Sequence, residues 1–302
     1  MIGDDVVERF DAPLSSLAVV GGAVRGLLRK TPAQPVLPRR TLRREAVLEA
    51  QAIEAYARLC GFSPEQGVPI TWPHILSFPL QMRIMLGADF PYPAVGLVHV
   101  HNRIRQTARI EAGQRLNLTT RVGSLLAHDK GQAFALTTEA TRDGQTVWEG
   151  QSIYLKLGPK GRGATVPELD APSGASVLET WSPAPDLGRR YAAVSGDANP
   201  IHTSGLGARL FGFRRPIAHG MWTKARAIAA LTPQAPLETA EVEAVFRSPV
   251  FLGDTIVLQA APPVRTNNLF EVRDMGGTRT HLRGRLNLSP SLSSQPPEGP
   301  SS

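Results

Sequence analysis

Three short segments of the sequence recur, in the same order, in its second half. Residues 56–61, Tyr-Ala-Arg-Leu-Cys-Gly, resemble residues 191–196, Tyr-Ala-Ala-Val-Ser-Gly, with an offset of 135 residues. The segment around Gly113 recurs 140 residues later, and the segment that ends at Gly150 recurs 134 residues later. Ordered matches at a nearly constant offset indicate two tandem copies of one folding unit.

The hydrophobic pattern predicts the same kind of structure in each copy. In the first, apolar residues at helical spacing predict a helix over 43–59, ended by Gly61, and a second helix over 74–86, in which Pro79 favours a kink. The turn residues Asp143-Gly144 predict a hairpin. The strand-like runs of this copy cover 96–105, 115–126, 132–142 and 145–157.

The second copy repeats this order, with a helix predicted over 221–231 and strands over 240–248, 254–262, 268–274 and 278–288. A helix followed by a long antiparallel sheet that can wrap it is typical of an α+β layer arrangement. We therefore expect two units of this class in tandem.

Composition divides the chain into four parts. We expect a first unit over 1–157, a linker rich in turn formers over 158–175, a second unit over 176–288, and a disordered tail over 289–302. Residues 1–40 have no counterpart in the second copy, and the pattern assigns them no structure.

Length, cysteine content and charge exclude several classes of protein. A chain of 302 residues can bury a sizeable core, and one cysteine, Cys60, cannot form an internal disulfide or a multi-cysteine metal site. The apolar stretches are shorter than the ~20 residues of a membrane span. The acidic start of the sequence is unlike a secretory signal, so we expect a cytoplasmic protein. The net charge of +7 suits acidic or phosphorylated partners, but no basic stripe with interleaved aromatic residues points to nucleic acid.

The most informative segment places an acid, an amide and an imidazole within six positions, at Asp197, Asn199 and His202. Gly196 is expected to end the helix that carries Tyr191, and the proline after Asn199 disfavours a helix there, so residues 197–202 are predicted to form a rigid loop. A carboxylate and an imidazole held around one water can move its proton. Alternatively, Asp197 and Asn199 are turn residues and His202 caps the next helix.

A second segment, Arg215-Pro-Ile-Ala-His-Gly-Met221, leads into the predicted helix over 221–231. Gly220 then lies at a helix N-terminus, where a free backbone N–H can meet an oxyanion. Close packing of the helix on the sheet is the alternative reason for a glycine there. For His219, a buried side chain with a hydrogen-bond partner is the favoured interpretation.

The pattern Tyr-x-x-Val-Ser-Gly-Asp-x-Asn-Pro-Ile-His-x5-Ala, over residues 191–208, resembles the signature of the MaoC-like (R)-specific enoyl-CoA hydratases, also called hydratase 2, and of the related (3R)-hydroxyacyl-thioester dehydratases. The resemblance continues through residues 215–221 and 248–254 and covers roughly 186–288. It implies a double hotdog, in which each of two units is a long helix wrapped by a curved antiparallel sheet. It also implies an acyl thioester of CoA or acyl carrier protein as substrate, and neither a metal nor another cofactor.

The resemblance implies a role for each matching residue. Asp197 and His202 act on the water, and the backbone N–H of Gly220 binds the thioester carbonyl. Asn199 helps to hold the loop. The remaining residues assigned to loop support or substrate binding are Ser195, His219 and Met221.

The first copy departs from this pattern. Gly61 is followed by Phe62 where the second copy has its aspartate, and no Asn-Pro-x-His sequence follows. We therefore expect a degenerate hotdog that lacks the catalytic loop and the segment overhanging it. Loss of that overhang is expected to leave a longer groove, which the resemblance associates with bulky acyl chains.

Two rival functions remain open. A hotdog thioesterase would use the same oxyanion-binding N–H for hydrolysis, and a non-catalytic acyl-CoA-binding module would use neither acid nor base. The duplicated chain is expected to be a monomer of two units or a homodimer of such monomers. His99 and His101 are expected to share one face of a predicted strand, as metal ligands could, but a cross-strand polar pair is favoured over a metal site. Arg214 and Arg215 either meet CoA phosphates or are solvated.

Overall fold

A computed structural model describes residues 6–10, 32, 34–262 and 267–288. The first half contains the helices α1 (Ala50–Cys60) and α2 (Trp72–Met85) and the strands β1 (Val6–Arg9), β2 (Arg40–Val47), β3 (Leu97–Gln106), β4 (Arg115–His128), β5 (Gly131–Arg142) and β6 (Gln145–Leu157). The connecting segment contains the short strand β7 (Ala164–Thr165). The second half contains the helices α3 (Leu187–Ser195), α4 (Pro200–Thr203), α5 (Gly205–Leu210) and α6 (Gly220–Leu231) and the strands β8 (Ser176–Trp181), β9 (Ala240–Phe246), β10 (Ile256–Ala260), β11 (Asn267–Asp274) and β12 (Thr280–Leu288).

The strands of the described residues form one sheet whose two halves mirror each other. The first half contributes the order β2-β4-β5-β6-β3 and the second half continues as β9-β12-β11-β10-β8, with β1 beside β2 and β7 beside β4. Strands β3 and β9 pair antiparallel at the seam, where Asn102 lies opposite Ala244. Matching strands therefore occupy matching positions, which confirms the predicted duplication and the double hotdog.

Each half of the sheet wraps one apolar helix. In α2, Leu80 and Ile84 are fully buried, and in α6, Ala225 and Ile228 are fully buried. Helix α2 runs unbroken through Pro79 and packs against β2, β4 and β5. Burial of these apolar helix faces against the curved sheet supplies the main hydrophobic stabilisation of each unit.

The local sequence patterns located most elements correctly. All eight predicted strands agree with the structure to within two residues at each end. The hairpin between β5 and β6 has positive φ angles at Asp143 (52°) and Gly144 (79°), as a two-residue type I′ turn requires. Helix α1 ends at Gly61, whose φ of 80° is left-handed.

The predicted helix over 43–59 is wrong in its first part. Residues 40–47 form strand β2, which pairs with β4, and the helix begins only at Ala50. Leu42 and Ala46 point into the core, but the position between them is Arg44, which interrupts the apolar alternation. Its guanidinium donates to the Leu76 carbonyl oxygen of α2 at 3.4 Å, so an arginine is tolerated at an inward-facing position.

The connecting segment over 158–175 packs along the first half of the sheet. Val166 donates its backbone N–H to the Ala127 carbonyl oxygen at 3.0 Å and buries its side chain in a cluster with Val100 and Ile153. The expected tail over 289–302 lies outside the described residues, as does much of 1–40. Within the described ranges, no helix combines the length and apolar character needed to cross a membrane.

Candidate active site

Helix α3 delivers the predicted catalytic segment to the site. It ends at Gly196, whose φ of 75° turns the chain sharply toward Asp197. Gly188 fixes α3 against the next segment, because a Cβ at this position would lie 1.8 Å from the His202 carbonyl oxygen. Because glycine has no Cβ, α3 and the segment that contains His202 can approach within backbone contact.

The segment from Asp197 to His202 is held by its own polar groups. The Asp197 backbone N–H donates to Ser195 Oγ at 3.2 Å, and the Asn199 backbone N–H donates to Asp197 Oδ1 at 3.3 Å. Asn199 Oδ1 accepts the Ile201 N–H at 3.3 Å. Asn199 is thus an N-cap, and the expectation of a loop through His202 is corrected: Pro200, which has no N–H to satisfy, begins the short helix α4.

Two histidines are pinned beside Asp197. His202 Nδ1 lies 2.8 Å from the Ile217 carbonyl oxygen, and His219 Nε2 lies 2.9 Å from the Asp197 carbonyl oxygen. Because a carbonyl oxygen can only accept, each of these nitrogens carries the proton, which leaves His202 Nε2 with a free lone pair. The two rings stack with centroids 3.7 Å apart. One side-chain ligand atom from each of Asp197, His202 and His219 lies within 4.8 Å of the others.

Burial keeps both imidazoles neutral. Loss of solvent lowers the pKa of His202, although the Asp197 carboxylate and the hydrogen bond to Ile217 oppose the shift. Burial, followed by the charge of His202, lowers the pKa of His219 to about 4. A neutral imidazole with a free Nε2 can accept a proton near neutral pH.

Gly220 is the first residue of α6, as the sequence predicts. The first N–H groups of a helix have no partner within the helix and carry the positive end of its dipole. Packing also requires a glycine here, because a Cβ would lie 2.9 Å from a ring carbon of Phe246 on β9. The packing interpretation of Gly220 therefore holds, its oxyanion-binding role stays a prediction, and the adjacent Met221 is buried.

Side chains of the first half lie near this site, which the sequence did not predict. The charge of Asp197 affects the pKa values of His74 and Tyr154, which lie in α2 and β6. His99 of β3 stacks on Tyr154 with centroids 4.7 Å apart and contacts Phe246 at 5.0 Å. No local motif marks these residues, because they reach the site through tertiary contacts such as the pairing of β3 with β9.

A buried lysine connects α6 to the two strands at the seam of the sheet. Lys224 of α6 is fully buried, and its ammonium donates to Asn102 Oδ1 at 2.6 Å, to the Asn102 carbonyl oxygen at 3.1 Å and to the Val242 carbonyl oxygen at 3.3 Å. Burial lowers its pKa well below the usual lysine value. These bonds join α6 to both seam strands and fix the helix N-terminus relative to the first half.

The other candidates from the sequence have structural roles. A bulge between His99 and His101 sets them opposite Tyr154 and Ile153, neighbours that point to opposite faces, so the expected shared face is wrong. His101 Nε2 pairs with Glu243 Oε1 across the seam at 2.8 Å, which confirms a cross-strand polar pair. Arg215 pairs with Asp254, and Arg214, which is two-thirds exposed, pairs with the same carboxylate at 3.7 Å.

A groove of about 610 Å³ lies in the first half where the second half has its catalytic segment. Its lining includes Ile53 and Ala57 of α1, Phe62 and Ile110. In the second half, the matching strand edge is covered, because Ala218 donates to the Val250 carbonyl oxygen at 2.8 Å. The lining of the groove does not include Asp197, His202 or Gly220.

Known proteins share both the sequence and this architecture. A MaoC-like domain matches residues 169–282, which include every predicted site residue. The chain is 34% identical over 247 residues to 3-hydroxyacyl-thioester dehydratase X of Mycobacterium tuberculosis, and the match covers 79% of this chain and 86% of the relative. The chain belongs to the MaoC-like dehydratase family.

Solved MaoC-like structures have the same double-hotdog arrangement. The crystal structure of HtdX from Mycobacterium tuberculosis superposes with a TM-score of 0.68 at 30% identity, covering 83% of this chain and 100% of that chain. A MaoC-like dehydratase from Phytophthora capsici superposes with a TM-score of 0.72 over 86% of this chain and 99% of that chain; at 19% identity, it supports the fold alone.

Proposed function

We propose that this MaoC-like chain is a hydro-lyase that reversibly hydrates trans-2-enoyl thioesters to (3R)-3-hydroxyacyl thioesters. The observation that carries the proposal is the grouping of Asp197, His202 and His219 within 4.8 Å beside the N-terminus of α6. The substrate is an acyl thioester of CoA or of acyl carrier protein. We assign catalysis to the unit over 176–288, and we interpret 1–157 as its degenerate partner.

His202 and Asp197 supply the proton transfers. In hydration, the water oxygen bonds to Cβ, the water loses a proton, and Cα gains one, so the two transfers balance. Neutral His202 has its Nδ1–H engaged by Ile217 and its Nε2 free to accept or return a proton. The Asp197 carboxylate shares this work, and each such transfer is typically worth roughly 10²–10⁴ in rate.

Gly220 supplies the electrostatic part. As water adds, negative charge develops on the thioester carbonyl oxygen, and a backbone N–H at the start of α6 meets it with the helix dipole behind. One such donor is worth on the order of 10²–10³ in rate. Ser195, Asn199 and His219 support this chemistry by holding the Asp197 segment through the hydrogen bonds described above, and the buried Met221 follows Gly220 in α6.

The donor set of the site also contains metal-ligand types. Asp197, His202 and His219 offer one carboxylate and two imidazoles, which are ligands that zinc accepts. The proposed reaction is complete with the acid, the base and the N–H donor, so we assign no step to a metal.

We propose that a long acyl chain extends from the site into the open groove of the first half. The groove volume of about 610 Å³ is within the range of ligand sites, and its lining combines apolar side chains with the charged Glu54, Arg58, Arg109 and Glu111. We expect higher kcat/KM for long-chain than for four-carbon enoyl-CoA, and narrowing of the groove by Ala57→Phe to reduce that preference. Equal turnover of short and long substrates by the wild type would contradict the assignment.

The decisive experiment follows the loss of enoyl absorbance from crotonyl-CoA, with chiral analysis of the product. Asp197→Asn and His202→Ala should each reduce the rate by orders of magnitude, whereas the surface variant Asp129→Asn should not. Circular dichroism should show that all three variants are folded at the assay temperature. Wild-type rates in both site variants would show that these groups do not carry the reaction.

The same samples separate the rival functions. A thioesterase would release free thiol from saturated acyl-CoA, which a thiol reagent detects, whereas the proposed hydro-lyase releases none. A non-catalytic module would bind crotonyl-CoA and leave its absorbance unchanged. Sedimentation velocity distinguishes a monomer of two units from a homodimer.

A further inference from the structure

Helix α5 exposes two large leucines next to the catalytic segment. Leu206 and Leu210 are 71% and 76% exposed, and their i, i+4 spacing places them on one face with Arg209 between them. Phe211, immediately after the helix, is 39% exposed. Exposed apolar groups that form one contiguous face mark interaction sites more often than scattered single residues do.

This face cannot turn inward, because the opposite side of the helix is locked. Gly207 and Ala208 are buried, and a Cβ on Gly207 would lie 2.5 Å from Pro200 Cβ. The Gly207 N–H also donates to Ser204 Oγ at 3.2 Å as part of the helix cap. The leucines are therefore held in solvent by the packing of α5 on α4, which carries His202.

Arg209 lies on the leucine face and is exposed. In the described part of the chain, no ion pair engages Arg209. Arg214, five residues further along the chain, is two-thirds exposed, lies over the Phe251 ring at 4.5 Å and pairs with Asp254 at 3.7 Å. The nearby Asp254 is paired with Arg215 and contributes no free negative charge. With the net charge of +7, this surface is complementary to an acidic protein that also offers apolar side chains.

We propose that the face formed by Leu206, Arg209, Leu210 and Phe211 docks an acidic acyl carrier protein, which delivers its thioester to the site beside His202. The inference rests on the proposed function and names the carrier. Free CoA has phosphates for arginines but nothing that requires two exposed leucines. A second copy of this chain would bring a like-charged surface to the same cations.

The test compares one acyl group on three carriers: crotonyl-pantetheine, crotonyl-CoA and the crotonyl form of a stand-alone bacterial acyl carrier protein. The variants are Leu206→Ser/Leu210→Ser and, separately, Arg209→Glu. Leu178→Ser on β8 and Lys130→Glu at the β4–β5 turn are matched controls, because both positions are exposed and distant in the chain from this face. We expect KM for the carrier-protein substrate to rise at least about tenfold in both face variants.

The same variants should change KM for crotonyl-pantetheine less than about twofold, and the controls should match the wild type for every substrate. Added salt should raise KM for the carrier-protein substrate in the wild type and much less in Arg209→Glu. An unchanged carrier-protein KM in both face variants would overturn the proposal. The proposal would also be overturned if the face variants lost self-association, or lost binding to phosphatidylglycerol vesicles, while their KM for the carrier-protein substrate stayed unchanged.

Direct binding separates this proposal from the proposed function. Calorimetry with a saturated butyryl carrier protein measures docking without turnover, and the leucine variant should lose that binding. If the wild type binds butyryl carrier protein through this face but hydrates no crotonyl substrate, docking stands and the proposed reaction fails. If the wild type hydrates crotonyl-CoA but binds no carrier protein, the proposed reaction stands and the docking proposal fails.

Discussion

Two buried histidines, His74 and His219, and the partly buried His99 make the stability of this protein sensitive to acid. Burial lowers the pKa of His74 to about 3 and of His219 to about 4, and lowers that of His99 well below its usual value. Lys224 contributes to the shift at His74, and Asp197 opposes it. Below the ordinary histidine pKa of 6.5, the unfolded chain therefore binds protons that the folded chain does not. Stability is complete above that pKa and falls as the pH falls.

Once the pKa of a histidine in the folded protein is low, the loss of unfolding free energy depends only on protonation of that histidine in the unfolded chain. Between pH 6.5 and about pH 5, the unfolded chain gains a proton at each histidine that stays neutral in the folded protein. Over about 1.5 pH units, at about 1.4 kcal/mol per unit, each such histidine lowers the free energy of unfolding by about 2 kcal/mol. His74 and His219 together should therefore remove about 4 kcal/mol of unfolding free energy between about pH 7.5 and about pH 5, and the lowered pKa of His99 adds to the loss. The free energy of unfolding of a typical domain is only about 5–15 kcal/mol.

Urea unfolding at the two pH values, at matched ionic strength, measures this loss. His74→Asn removes one titrating group, so it should lose about 2 kcal/mol less than the wild type over the same interval. His128→Asn on β4 is the matched control and should behave as the wild type does. Equal losses in the wild type and His74→Asn would refute the reasoning, because His74 would then not be held neutral by the fold.

Three further outcomes are expected. Because burial lowers the pKa of His202, kcat/KM should be fully developed by neutral pH and fall only as the pH drops below 6.5, in a pH–rate profile; an acid limb above that value would contradict a depressed pKa. Gly220→Ala places a Cβ 2.9 Å from Phe246 and should lower kcat at least about tenfold, with partial recovery in Gly220→Ala/Phe246→Leu; steady-state rates measure both. Ser195→Ala leaves the Asp197 N–H without its acceptor, so kcat should fall several-fold while thermal melting shows a loss of about 1 kcal/mol, and an unchanged kcat would remove Ser195 from loop support.

Short-range chemistry explains what could be predicted from the sequence about the local structure. Gly61 and Gly196 both end helices in left-handed conformations, and Asp143-Gly144 makes a hairpin, because each depends on backbone sterics within a few residues. The strand ends were predicted for the same reason. Arg44 misled the pattern because its inward position is satisfied by a distant carbonyl group, that of Leu76.

The sequence alone indicated the catalytic motif and the start of α6, since Asp197, His202 and Gly220 are carried by two short segments of the chain. Only the tertiary structure decided how those segments meet, through the hydrogen bond from His219 to the Asp197 carbonyl oxygen. It also brought His74 and Tyr154 of the first half near enough to Asp197 for its charge to affect their pKa values. Contacts of this kind depend on the pairing of β3 with β9, which joins residues more than 130 positions apart and leaves no local pattern to read.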